Sequence, residues 1–249
     1  MCAPNGGLER YSLNIIKFVL LPGLFSDPKL LKGLEARLLG AFPKSSATTM
    51  ASTDFRTVND GVRQLGELMS GVDTGDNNFV LVCHSAGCFI GAAFIDDPRV
   101  MKVIMLNPPS CNLLDYPLKV WMVQNLYFLQ CLLNQRFCLK EKHRFKLFGG
   151  DVPSDMQATS YGWFGLQASL GSVVRNCFRK VESNNKVLTF YCTGDPTVLP
   201  KAVRRVAKRY KARVIGLRCG HHYPMQDDNS LNVVMSQTSS FIRRAARTN

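Results

Sequence analysis

A serine that could act as a nucleophile lies between a predicted strand and a predicted helix. The apolar run Phe79–Val82 leads into the segment Cys83–Cys88, which reads CHSAGC, and the apolar segment Gly91–Ile95 follows. This order predicts a strand, a sharp turn with Ser85 at its apex, and a helix. Such a turn exposes a hydroxyl at the end of a buried sheet, where a histidine can take its proton and backbone amides can hold an oxyanion. The alternative is that Ser85 only caps the helix.

A carboxylate and a histidine pair follow two other predicted strands. Asp195 comes just after the apolar strand Val187–Cys192, and His221 and His222 come just after Arg213–Leu217. The carboxyl ends of parallel strands meet at one edge of a sheet, and we expect these groups to lie near Ser85 there. The alternative for Asp195 is a turn residue of an Asp-Pro sequence without a catalytic partner.

The chain has only four histidines to serve as the base that a serine nucleophile requires. His84 flanks the apex of the turn, and we expect its ring to point away from the apex and to pack beside the site. His143 lies in a basic run and is expected to be solvated. His221 and His222 therefore remain as the two candidate bases.

Strand and helix patterns alternate through most of the chain, which predicts an α/β fold with a doubly wound, mostly parallel sheet of about six strands. The predicted strands are Asn14–Leu21, Ser46–Met50, Phe79–Val82, Val100–Leu106, Val187–Cys192 and Arg213–Leu217. The predicted helices are Pro28–Leu39, Asp54–Ser70, Ala86–Ile95, Asp155 to about Cys177, Pro200–Tyr210 and Ser230–Ala246. No convincing strand pattern occurs between Ser110 and Lys186.

From about Asn14 onward the chain resembles the α/β-hydrolase superfamily. The serine motif, the acid loop and the histidine loop occur in the order Ser, Asp, His that this superfamily uses. The resemblance implies that residues 1–109 and 187–249 form the hydrolase core and that residues 110–186 form a helical cap. Because only some 14 residues precede the first strand, we expect the superfamily's N-terminal hairpin to be truncated.

The resemblance also implies a role for each candidate residue. Ser85 is expected to be the nucleophile, and Asp195 is expected to orient the base. His222 is favoured over His221 because base loops of the superfamily often read His-aromatic-Pro, as residues 222–224 do. The expected oxyanion donors are the amides of Ala86 and of Leu24, where Pro22 replaces the histidine that often precedes the glycine of this loop.

The apolar stretch Tyr116–Leu133 of the predicted cap indicates what the pocket could accept. Its apolar side chains, among them Trp121, Leu126 and Tyr127, occupy more than one side of a helix. A cap helix buried against the core explains them, and so does an acyl-chain pocket or a lid that faces lipid. The basic run Lys140–Lys146 would suit an anionic membrane surface.

The net charge and the cysteine content limit which partners, metal sites and cellular compartments are expected. The net charge is +13, but no nucleic-acid-binding motif accompanies it, and we expect no nucleic-acid partner. The basic residues of Pro200–Tyr210 are expected to form a solvated helix face. Nine scattered cysteines without CxxC spacing argue against a zinc site and favour a reducing compartment. The N-terminal residues lack the features of a signal peptide, so we expect a cytoplasmic protein.

These observations together lead to one expectation and two alternatives. We expect a serine hydrolase that cleaves a small-molecule carboxylic ester or thioester, with a lipid-like or long acyl group among the candidates, and that needs no metal or organic cofactor. The first alternative is an acyltransferase or a C–C hydrolase with the same triad. The second is a small-ligand-binding protein of the same fold with little or no catalytic activity.

Overall fold

The structure is a computed structural model that describes residues 15–24, 26, 28–51, 54–71, 78–110, 115, 136–138, 159–161 and 185–245. The strands are β1 (Ile16–Leu21), β2 (Ser46–Thr49), β3 (Asn78–His84), β4 (Val100–Leu106), β5 (Arg136–Cys138), β6 (Thr159–Tyr161), β7 (Val187–Cys192) and β8 (Arg213–Leu217). The helices are α1 (Lys32–Ala41), α2 (Val58–Ser70), α3 (Gly87–Ala92), α4 (Pro200–Arg209) and α5 (Asp228–Ala245), with 3₁₀ turns at Pro28–Leu31 and Tyr223–Met225.

Six strands form one parallel sheet in the order β2-β1-β3-β4-β7-β8. This arrangement confirms the predicted fold class. β1 pairs with β2 on one side and with β3 on the other. β4, β7 and β8 then extend the sheet beyond β3. Parallel pairing brings the carboxyl ends of β3, β7 and β8 to one edge, which is where Ser85, Asp195 and the histidine pair follow their strands.

Two apolar layers cover the two faces of this sheet. Alternate residues of β1 enter different layers: Val19 and Leu21 pack with α2 and α3, whereas Phe18 and Leu20 pack with α1 and α5. The inner strands β1, β3, β4 and β7 are buried along almost their whole length because helices cover both faces of the sheet there, whereas the edge strands β2 and β8 are largely exposed or half-buried. Burial on both faces fixes the register of the inner strands and therefore the position at which the loop after each of them begins.

Helix α3 packs unusually close to β1, and glycine allows this approach. A Cβ atom on Gly87 would lie 2.5 Å from the carbonyl oxygen of Pro22 and 2.6 Å from that of Leu21. Both atoms belong to the backbone at the end of a buried strand, which cannot move without disturbing the sheet. Gly87 therefore sets the distance between the first turn of α3 and the loop that follows β1.

We expect Gly87→Ala to lower the free energy of unfolding by about 1–3 kcal/mol, because the added methyl group overpacks this contact. Gly40→Ala is the matched control, since a Cβ atom at Gly40, in α1, would contact no atom within 4 Å. Alanine there should be neutral or slightly stabilising, as expected for an open helix position. Urea denaturation of both variants measures the difference, and equal stability of the two would contradict the close-packing argument.

Residues 110–186 contain two short strands that the sequence did not predict. β5 and β6 pair antiparallel over three residues each, from Arg136 opposite Tyr161 to Cys138 opposite Thr159. The expectation of no strand in this segment was wrong, because pairs this short carry no readable alternation of polar and apolar residues. The predicted helix from Asp155 to about Cys177 was wrong at Thr159–Tyr161, which form β6. The boundaries of the predicted cap stay a prediction.

One contact joins the beginning of this segment to the core. The buried carboxylate of Asp115 accepts a hydrogen bond from the Ser110 hydroxyl at 2.6 Å and a charged one from Arg205 of α4 at 2.7 Å. Arg205 therefore has a specific partner, whereas the predicted role for it was general solvation. The other basic side chains of α4 are exposed, as predicted: Lys201, Arg204, Lys208 and Arg209.

Within the described part of the chain, no helix combines the length and the apolar character that crossing a membrane requires.

Candidate active site

Ser85 occupies a sharp turn between β3 and α3. Its φ of 47° lies in the left-handed region, which a residue other than glycine occupies at a cost of about 1–3 kcal/mol. The surrounding contacts hold it there, since its amide donates to the carbonyl of Leu106 at 2.9 Å and α3 begins two residues later. Ser85 is 8 % exposed, so the turn presents a serine at the edge of the sheet as the sequence predicted.

The loop after β1 lies directly against this turn. A Cβ atom on Gly23 would be 2.7 Å from Cβ of Ser85 and 3.1 Å from Nδ1 of His84. Only glycine fits this position without displacing the serine. The carbonyl of Gly23 accepts a hydrogen bond from the amide of Ser26 at 3.2 Å, which turns the loop. Leu24 packs against the apolar layer that contains Ala86, so the two expected oxyanion donors belong to neighbouring segments.

Asp195 and His221 form a buried pair. Nδ1 of His221 lies 2.6 Å from Oδ2 of Asp195, and both side chains are almost fully excluded from solvent. The other carboxylate oxygen, Oδ1, accepts hydrogen bonds from the amides of Thr197 at 2.7 Å and Val198 at 2.9 Å. Because a carboxylate only accepts, Nδ1 of His221 donates, and Nε2 is left with the lone pair of the neutral ring.

The peptide of His221 is fixed by two donors that lie far away in the sequence. Its carbonyl oxygen is 3.2 Å from Nε2 of His84 and 3.0 Å from Nδ2 of Asn107. Since a carbonyl accepts, Nε2 of His84 carries a proton and Nδ1 holds the lone pair. His84 was predicted to pack beside the site. In the structure it does so by donating a hydrogen bond to the backbone of His221.

In the structure His221, and not the favoured candidate His222, contacts Asp195. The two bonds to the His221 carbonyl fix the peptide so that the ring of His221 faces the acid loop. His222 begins the following turn, in which its carbonyl accepts from the amide of Met225 at 3.2 Å. The ring of His222 packs instead against His84 and His221, with centroid separations of 5.3 and 5.0 Å.

Burial controls the protonation of the groups around Ser85. It lowers the pKa of His84 and of His222 well below the ordinary value, and the neighbouring histidine His221 adds to this in both cases. These rings are therefore neutral near pH 7. Burial also raises the pKa of the Cys83 and Cys88 thiols, which keeps two potential nucleophiles near Ser85 protonated and unreactive.

Asn107 is a site residue that sequence reasoning missed. It lies just after β4, is fully buried, and has a φ of 48°. Its side-chain amide donates to the His221 carbonyl, and its oxygen accepts from the amide of Cys192 at 2.9 Å. Asn107 thus joins the ends of β4 and β7 to the base loop. The sequence signal that could have identified it is an asparagine just after a buried strand and just before Pro108. Asparagine tolerates a positive φ more readily than most residues.

The residues Trp121, Leu126 and Tyr127, predicted to line the pocket or lid, lie outside the described residues, as do the apolar stretch 116–133 and the basic run 140–146.

A family model with the description "Alpha/beta hydrolase family" matches residues 18–234, which is most of the chain. The chain belongs to the alpha/beta hydrolase family. The match includes β1 through the first part of α5, and with them the Ser85 turn and both loops of the Asp195–His221 pair. It confirms the predicted resemblance at the level of the family.

Solved structures similar to this chain include lipases and an esterase. Monoacylglycerol lipase from Paleococcus ferrophilus has a TM-score of 0.66 at 12% identity, covering 91% of this chain and 94% of that one. A soluble variant of monoglyceride lipase from Saccharomyces cerevisiae has a TM-score of 0.67 at 14% identity, covering 93% and 87%. Carboxylesterase CesB from Bacillus subtilis has a TM-score of 0.59 at 11% identity, covering 92% and 84%.

A search of the curated proteins gave no significant match. At these identities the solved structures support the fold. The chemistry has to be argued from the chain's own residues.

Proposed function

We propose that this member of the alpha/beta hydrolase family is a serine hydrolase that cleaves a carboxylic ester or thioester. In this proposal Ser85 is the nucleophile, His221 is the base and Asp195 orients the base. The observation that carries it is the buried 2.6 Å contact between Nδ1 of His221 and Oδ2 of Asp195, made beside a serine held in a left-handed turn. A ring fixed in this way presents its basic nitrogen in one tautomer.

Acylation follows from the donors and acceptors of the site. Nε2 of His221 takes the proton of the Ser85 hydroxyl while Oγ attacks the carbonyl carbon of the substrate. The negative charge that develops on the carbonyl oxygen is held by the amides of Ala86 and Leu24. The intermediate then collapses as the His221 imidazolium gives its proton to the leaving alcohol or thiol. Asp195 stabilises that imidazolium throughout.

Deacylation repeats these steps with water as the nucleophile. His221 takes a proton from water, the hydroxide attacks the acyl-Ser85 carbonyl, and the proton returns to Oγ as the acid leaves. An alcohol in place of water would make the same site an acyltransferase. Product analysis separates the two reactions, because only hydrolysis releases free acid when a second alcohol is present.

We infer that the substrate carries a lipid-like acyl group. One structural neighbour is named a monoacylglycerol lipase and another a monoglyceride lipase. The sequence of segment 116–133 is rich in apolar residues of the kind that line acyl pockets. The basic run 140–146 supports contact with an anionic membrane surface. Activity on p-nitrophenyl esters of graded chain length provides the assay for the variants discussed below, with a longer acyl chain expected to be favoured over acetate.

Labelling with a fluorophosphonate tests the proposal against a ligand-binding protein of the same fold. We expect one equivalent of label on Ser85, located by peptide mass spectrometry, because the reagent reacts with a serine that a neighbouring base activates. Ser85→Ala should abolish the label.

Ser26→Ala is the matched control, since Ser26 is also buried and lies in the adjoining loop, and it should leave labelling intact. Label on another residue, or a folded protein that takes no label, would rule out the assignment of Ser85.

A further inference from the structure

We propose that His84, His221 and His222 form a zinc-binding site whose occupation removes the base from the active site. One ring nitrogen from each of the three histidines lies within 4.8 Å of the others, and all three residues are buried. Binding by this cluster does not depend on the proposed function, whereas the inhibitory consequence does.

The spacing of the rings suits a tetrahedral ion. Their centroids are separated by 4.9, 5.3 and 5.0 Å. Three imidazoles on one zinc ion, with Zn–N bonds of about 2.0 Å, have their centroids about 5.2 Å apart. The donor nitrogens would then be about 3.3 Å apart. The nitrogens now lie within 4.8 Å of one another, so binding requires rotation of the side chains that brings these nitrogens closer together.

Two of the rings already have the hydrogen bonds that orient histidine ligands in metal sites. A metal-binding histidine usually donates its other N–H to a carboxylate or a backbone carbonyl. His221 donates from Nδ1 to Asp195, and His84 donates from Nε2 to the carbonyl of His221. Nδ1 of His84 is buried and has no hydrogen-bond partner among the described residues. In these tautomers the lone pairs of the two rings are on Nε2 of His221 and Nδ1 of His84.

The electrostatics of the cluster also favour a cation. The three rings are buried, and imidazole binds a metal ion through the lone pair on a ring nitrogen. The carboxylate of Asp195 supplies a negative charge through its bond to His221. Imidazole nitrogen suits zinc, and three such ligands leave a fourth tetrahedral position open.

Coordination would stop the proposed reaction without changing any covalent bond. The zinc ion would bind the lone pair on Nε2 of His221, which is the pair that has to accept the Ser85 proton. Inhibition should therefore be reversed completely by a chelator.

Calorimetry with metal-free protein and Zn²⁺, together with visible spectroscopy of the Co²⁺ form, tests the site. We expect one equivalent to bind and the Co²⁺ spectrum to indicate tetrahedral nitrogen ligation without a thiolate charge-transfer band. His84→Gln and His222→Gln should each weaken binding by about 10- to 100-fold or more, as loss of a supporting or direct metal contact does. His143→Gln, which changes the only other histidine, should bind as the wild type does.

Several results would overturn the proposal. They are the absence of stoichiometric binding to the wild type, and binding by both glutamine variants that is as tight as that of the wild type. A third is loss of binding only on replacement by serine of Cys192 or Cys219, whose sulfur atoms lie 2.8 Å apart. Thermal unfolding shows whether each variant is folded. If a variant is not folded, the Co²⁺ spectrum of the wild type decides whether histidine nitrogens bind the ion.

Blocking of fluorophosphonate labelling by Zn²⁺ then tests inhibition separately. Normal labelling of the zinc-loaded protein would refute the inhibitory effect and leave the binding site standing, whereas a wild type that binds zinc but never takes label would refute the proposed function alone.

Discussion

Replacement of His221 by alanine should lower kcat by about 10⁴-fold or more, whereas replacement of His222 should lower it by no more than about 10-fold. The difference follows from the contact with Asp195, which only His221 makes at 2.6 Å. Without the His221 ring, no group can take the Ser85 proton at neutral pH. The ring of His222 packs beside the pair, so its loss affects the shape of the site more than its chemistry.

The comparison is made in one ester assay, with His222→Gln as a second variant that fills more of the volume of the ring. Circular dichroism and thermal unfolding should show that all the variants are folded. Added imidazole should restore part of the activity of a His221→Gly variant, because a free ring can enter the vacated space. If the His222 variants are the inactive ones and the His221 variants retain activity, the proposed assignment of the base is wrong.

The strands were the part of the fold most readable from sequence. β4, β7 and β8 begin and end at the predicted residues. β4 and β7 are apolar runs bounded by polar or turn-forming residues, and burial on both faces makes such runs easy to identify. β8 is a largely exposed edge strand, and its β-branched residues and the turn residues around it predicted its bounds. The N-terminal ends of the helices were less readable. α2 begins at Val58 instead of Asp54 because the Thr57 hydroxyl accepts from the amide of Asp60 at 2.9 Å and caps the helix there.

The site was readable only as far as local patterns reach. Ser85 and Asp195 could each be proposed from the strand that precedes them. The choice between His221 and His222 depended on bonds from His84 and Asn107, which are 137 and 114 residues away in the chain. A one-residue shift in a loop does not alter its local pattern, and the His-aromatic-Pro sequence favoured His222, whereas His221 is the ring that contacts Asp195. Long-range donors to one carbonyl decide the register, and no short motif encodes them.

Replacement of Asp195 by asparagine should lower kcat by about 10⁴-fold while the protein stays folded. The reason is the way in which the two carboxylate oxygens are used. Oδ1 accepts from the amides of Thr197 and Val198, and Oδ2 accepts from Nδ1 of His221. Asparagine has only one side-chain oxygen. We expect that oxygen to accept from the amides of Thr197 and Val198, because two donors hold it more strongly than the single donor of the His221 ring. The side-chain NH₂ group then faces Nδ1 of His221.

An NH₂ group at that position forces Nδ1 to accept and moves the ring proton to Nε2. The ring is then in the wrong tautomer to take a proton from Ser85, and the charge that stabilises the imidazolium is lost as well. Nitrogen NMR of the His221 ring should show the proton on Nδ1 in the wild type and on Nε2 in the variant. Asp227→Asn is the matched control, because Asp227 caps α5 through a 2.8 Å bond from the amide of Ser230 and its replacement should leave kcat unchanged. Near-normal turnover by Asp195→Asn, with the tautomer unchanged, would mean that another carboxylate orients the base.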